Sequence, residues 1–72
     1  MRYEIIEAPG FYALALFDIP SKKSPEVCTH LMIASKERCN EVLELMLDGS
    51  RPEDIGGWVT DPQDEVLKLK SI

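Results

Sequence analysis

Phe11-Tyr12-Ala13-Leu14-Ala15-Leu16-Phe17 is the longest unbroken apolar run in the chain, and it sets the hardest condition on the fold. The run is far shorter than the roughly 20 residues a membrane-spanning helix needs, and it reads as a strand. Alternation puts Phe11, Ala13, Ala15 and Phe17 on one face and Tyr12, Leu14 and Leu16 on the other. A strand apolar on both faces needs cover on both. With only 72 residues available, the core is small and self-association or docking is expected. The reading is that one face is covered by association, with Tyr12, Leu14 and Leu16 at an oligomer interface.

The neighbouring segments supply partners for that strand. Tyr3 to Glu7 is rich in β-branched and aromatic residues and reads as a first strand. Ala8-Pro9-Gly10-Phe11 has Pro and Gly at the central positions of a type II turn, which predicts a loose hairpin. Residues 25–34 read two ways. Ser24-Pro25-Glu26 is a helix start, whereas Val27, Thr29, Leu31 and Ile33 alternate as a strand does. The strand is favoured, because Ser35 then caps the helix that follows.

That helix is the strongest local signal. Cys39, Val42, Leu43 and Met46 recur at helical spacing on one face, and Leu45 and Leu47 broaden it. Ser35 is an N-cap, and Gly49 stands where a left-handed C-terminal residue is wanted. On the far side Glu37, Glu41, Glu44 and Asp48 form an acidic ridge, continued by Glu53 and Asp54. Lys36 and Arg38 lie off its flanks, so the ridge has few internal counter-charges, and its like charges three and four apart cost a little stability. A solvated helix face is the plainer reading. A row of carboxylates on a rigid rod also imitates phosphates and suits a basic channel.

Beyond the helix, Ser50-Arg51-Pro52-Glu53-Asp54-Ile55 suggests a short helical turn closed by Gly56-Gly57, and Trp58 reads as a lid on the core. Residues 62–70 again read two ways. Asp61-Pro62 with Asp64 and Glu65 is a helix start, while Leu67 and Leu69 alternating with Lys68 and Lys70 look like a guarded edge strand.

Charge and chemistry narrow the function. The chain carries a net −5, of which −4 lies in residues 36–72, and this discourages binding to nucleic acid or anionic membrane. A hydrophobic fraction of 44% with 29% charged residues argues for a folded chain. Glu4 and Glu7 interrupt the place where a signal peptide would be apolar, and two cysteines make no disulfide framework, so a cytoplasmic setting is expected. His30 is the only histidine, and neither a nucleophile elbow nor a phosphate-binding loop is present. Cys28 and His30, two apart on one face of a strand, could join Cys39 in a small thiol or metal site, but a fourth ligand is lacking. No catalytic residue, metal or cofactor is expected.

Residues 47–72 resemble a helix-turn-helix motif. Gly49 ends one helix, and Glu53, Ile55, Gly56, Val59 and Val66 fall roughly at the positions such a motif requires. The resemblance implies a DNA-binding regulator. The chain departs from it at Gln63-Asp64-Glu65, which would press carboxylates against phosphates in the major groove.

The expected fold is therefore α+β: a small single-layer sheet, an N-terminal β-hairpin plus one or two further strands, packed by one main helix in a single domain, 1–72. The expected function is non-enzymatic. An acidic surface (Glu37, Glu41, Glu44, Asp48, Glu53, Asp54) docks on a larger basic protein, nucleic-acid-handling proteins being one candidate class, and modulates or inhibits it. This is similar in type to small acidic inhibitors encoded by phages and mobile elements. A homodimer is the second expected association; direct nucleic-acid binding and membrane attachment are not expected. The alternatives are the helix-turn-helix regulator and, third, a small thiol or metal protein.

Overall fold

Three strands answer the demand that the apolar run makes. In the computed structural model, which describes residues 2–71, β1 (Arg2–Ala8), β2 (Phe11–Asp18) and β3 (Val27–Ala34) form an antiparallel sheet in that order, with β2 central. The helix α1 (Lys36–Leu47) follows, then a single 3-10 turn at Pro52–Asp54 and a second helix, α2 (Pro62–Lys70). The α+β class, the N-terminal hairpin and the main helix are as expected. Both ambiguous segments resolve, residues 27–34 as strand and 62–70 as helix.

The hairpin is tight where a loose one was expected. Ala8 pairs directly with Phe11 across Pro9-Gly10, and pairing continues without a slip to Arg2 and Phe17. Gly10 takes φ 85°, the positive value a type II turn asks of its third residue. Seven successive strand pairs outweigh the poor match between that turn's twist and the sheet's.

Both faces of β2 are covered by the chain itself. Under α1, Leu14 and Leu16 pack with Met32, Cys39, Val42, Met46 and Ile55. Across the sheet, Ala13, Ala15 and Phe17 pack with Cys28, Leu31 and Val66 of α2. This corrects the expected oligomer interface: Leu14 and Leu16 are 0% exposed, and half-buried Tyr12 packs against the same cluster. Each fully buried leucine removes enough apolar surface to favour folding by about 1.5–3 kcal/mol. The nine-residue α2 packs chiefly against β3 on this face, with Val66 buried in the same cluster as the two alanines.

Both ends of α1 are closed. Ser35 Oγ accepts the Arg38 N–H at 3.1 Å. At the other end the N–H groups of Gly49 and Ser50 reach back to Met46 and Leu45 carbonyls, a Schellman arrangement with Gly49 at φ 109°. The buried face of α1 is Cys39, Val42 and Met46, with Leu43 partly buried. Leu45 and Leu47 do not broaden it; they are 39% and 67% exposed, since residues six or eight positions beyond Cys39 rotate away from the sheet. Trp58 is the expected lid, packed on the α1 cluster with its indole N–H on Pro52 O at 2.7 Å.

An ion network ties the start of β1 to Glu26, just before β3, and to α2. Arg2 donates to Glu26 at 2.6 and 2.9 Å and to Glu4 at 2.8 Å, and Lys70 lies 3.3 Å from Glu4. The Arg2 guanidinium also stands 4.4 Å over the Phe17 ring. Hydrogen bonding from Arg2 holds the Glu4 and Glu26 carboxyls below the ordinary range, with Lys70 adding to the effect on Glu4. A lowered folded-state pKa stabilises above the unfolded carboxylate range, and that contribution disappears as pH falls through the folded values. The groups are near the surface, so the effect is modest.

Two outcomes follow. Leu14→Ala should destabilise by about 2–5 kcal/mol in denaturant unfolding, whereas Leu47→Ala should stay within about 0.5 kcal/mol; equal losses would contradict the assigned faces. The stability difference between the parent and Arg2→Met should be largest at neutral pH and shrink in acid, as pH falls through the lowered folded values of Glu4 and Glu26 and both protonate. A difference that is constant over that range would show that the network contributes no linkage.

Candidate functional site

The solvent side of α1 carries the acidic ridge. Glu37, Glu41, Glu44 and Asp48 are all exposed, as are Glu53 and Asp54 in the 3-10 turn beyond it. The expectation of few counter-charges needs one correction: Arg38 pairs with Glu41, three residues on. Arg51 lies 3.7 Å from Glu53 and 3.8 Å from Asp54. Among the described residues, no cation comes within ion-pair distance of Glu37, Glu44 or Asp48. The i, i+3 spacing of Arg38 and Glu41 was legible in the sequence and is what brings them together.

The C-terminal end of the ridge runs against a local rule. Helix dipoles favour cations in the last turn, yet the last turn of α1 has none and holds Glu44, with Asp48 as its C-cap. Exposed Leu45 lies on one flank of the ridge and exposed Leu47 on the other, at 100° per residue. The surface is thus a strip of carboxylates bordered by two apolar side chains, a feature that sequence reading missed by assigning both leucines to the core.

Cys28, His30 and Cys39 do not come together. A bulge between Leu16 and Phe17 leaves Leu16 opposite His30 and Phe17 opposite Cys28, so Thr29 is the extra residue. It reverses the alternation, placing Cys28 in the α2-side cluster and His30 edge-on to Trp58 at 5.3 Å on the other face. Cys39 lies under α1, across the sheet from Cys28. Both thiols are free and buried, and burial raises both above the ordinary thiol range. Among the described residues no group of His, Cys, Asp and Glu is placed to hold a metal ion.

The helix-turn-helix likeness in 47–72 is not realised. Between α1 and α2 the one helical segment among the described residues is the 3-10 turn Pro52–Asp54, and Trp58 and Val59 run extended along β3. Val66 of α2 is buried against the sheet. A cleft of about 780 Å³ opens beside the hairpin turn, lined by Phe11, Tyr12, Ile33 and Lys36 among others. No buried side-chain polar atom stands unpartnered among the described residues. Nor is any described helix long and apolar enough to cross a membrane. No protein-family model, curated protein or solved structure matches the chain.

The thiols give a direct check. In the native protein at neutral pH, Cys28 and Cys39 should react with an aromatic disulfide reagent far more slowly than after denaturation. Prompt native reaction of either thiol would mean that its face of the sheet is open.

Proposed function

We propose that this chain is a non-enzymatic interaction domain that docks through the solvent side of α1 on a larger, basic protein and modulates or inhibits it. The observation that carries the reading is the unpaired acidity at the C-terminal end of α1, where Glu44 and Asp48 oppose the helix dipole without a neighbouring cation. Local rules of this kind tend to be broken where a surface serves a partner. Leu45 and Leu47 add the apolar anchors that acidic side chains alone lack. Glu37, Glu41, Glu53 and Asp54 extend the charged rim, which speeds approach to a positive surface more than it tightens the complex. A partner whose basic surface grips nucleic acid is the natural target, because spaced carboxylates imitate phosphates. The mode of action is then competitive, as in small inhibitors encoded by phages and mobile elements. Two free, buried thiols fit a reducing cytoplasmic setting.

Stability and binding should move in opposite directions on charge reversal. Glu44→Lys with Asp48→Lys should stabilise the fold by about 0.3–1 kcal/mol per site, by satisfying the helix dipole. The same change should abolish salt-sensitive capture of a basic protein from cell extract. Capture that survives unchanged would show the strip to be merely solvated. Tight, salt-dependent DNA binding by the parent chain would replace this reading with direct nucleic-acid recognition.

A further inference from the structure

The sheet has two outer edges, and the chain treats them differently. Along β3, Val59 N–H bonds Leu31 O at 2.8 Å, Trp58 bridges to Met32, and Gln63 Oε1 accepts the Cys28 N–H at 2.7 Å. Along β1 no described residue bonds the outer backbone groups, and the strand has neither a proline nor a bulge to discourage pairing. α1 packs mainly over β2 and β3, and α2 mainly over β3. Tyr3 and Ile5 on one face of β1 and Ile6 on the other are accordingly left half-buried.

The direction of each β1 group follows from the β3 edge. Leu31 points its carbonyl outward to Val59, so its partner Ala15 turns its backbone towards β1 and bonds Glu4. By alternation, Tyr3, Ile5 and Glu7 present their N–H and C=O groups to the open edge.

We infer that this edge pairs with the same edge of a second copy, antiparallel about a two-fold axis, joining the two three-stranded sheets into one continuous sheet. The strand's own residues select the register. With Ile5 opposite Ile5 of the second copy, Tyr3 faces Glu7 at both ends, and all three outward residues exchange both their backbone bonds. One slip sets Glu4 against its own copy, like charges directly opposed. The other slip brings Pro9, which lacks an N–H, opposite Tyr3. In the selected register the flanks of Tyr3, Ile5 and Ile6 are covered, and both α1 helices lie on one side of the joined sheet with their acidic strips facing solvent. The inference does not rest on the function proposed for that strip.

The test is sedimentation over a concentration series together with amide hydrogen exchange read residue by residue. The expected result is a reversible dimer in which the Tyr3, Ile5 and Glu7 amides become more protected as protein concentration rises. Glu7→Pro removes one outward N–H from an exposed position and should give a folded monomer. A monomer at millimolar concentration would overturn the inference. So would a dimer whose Tyr3, Ile5 and Glu7 amides exchange as freely as loop amides. The exchange pattern of the parent chain decides the matter even if the variant fails to fold.

Discussion

The structure depends on covering β2 from both sides. Its seven apolar residues leave no face for water, so both faces need a layer of cover. The chain supplies it by following the third strand with two helices that take opposite faces. The leucine face meets the longer, well-capped α1, while the other face is covered chiefly over β3 by α2, which is only nine residues long and held by Val66, the Gln63 bond to Cys28 and the Lys70–Glu4 pair.

Much of this was legible in the sequence, and the limits of that reading have physical causes. The α1 helix announced itself through its cap, its apolar spacing and Gly49, and the hairpin through Pro9-Gly10. The covering of β2 by association was misread because the helical character of 62–70 competed with a strand-like alternation at Leu67 and Leu69. Once those residues coil, Val66 turns inward and the second face has its cover. The supposed grouping of Cys28 with His30 failed on a single residue, Thr29, whose bulge reverses the faces; two-residue alternation carries no sign of it. Leu45 and Leu47 were placed in the core because apolar residues near a helix's buried stripe usually extend it, and only the narrow contact of α1 with the sheet shows otherwise.

A fold that completes its own core leaves its charged side chains on the surface. Nothing charged is buried among the described residues, so the acidic side chains of α1 are spent entirely on the exterior, at a small cost to the helix that bears them. The exposed leucines beside them and the open edge of β1 are separate surfaces, one on a helix face and one on a backbone ladder. Their physics differs accordingly: charge and salt govern the first, and backbone hydrogen bonding governs the second.

In this fold α2 of the same chain, rather than another molecule, closes the second face of the sheet. Methyl-to-methyl nuclear Overhauser contacts in a dilute, monomeric sample test it most directly. Contacts are expected from the Val66 methyls into the cluster of Ala13, Ala15 and Leu31 with which it is buried. Absence of those contacts, with the two alanine methyls open to a soluble paramagnetic agent, would contradict it.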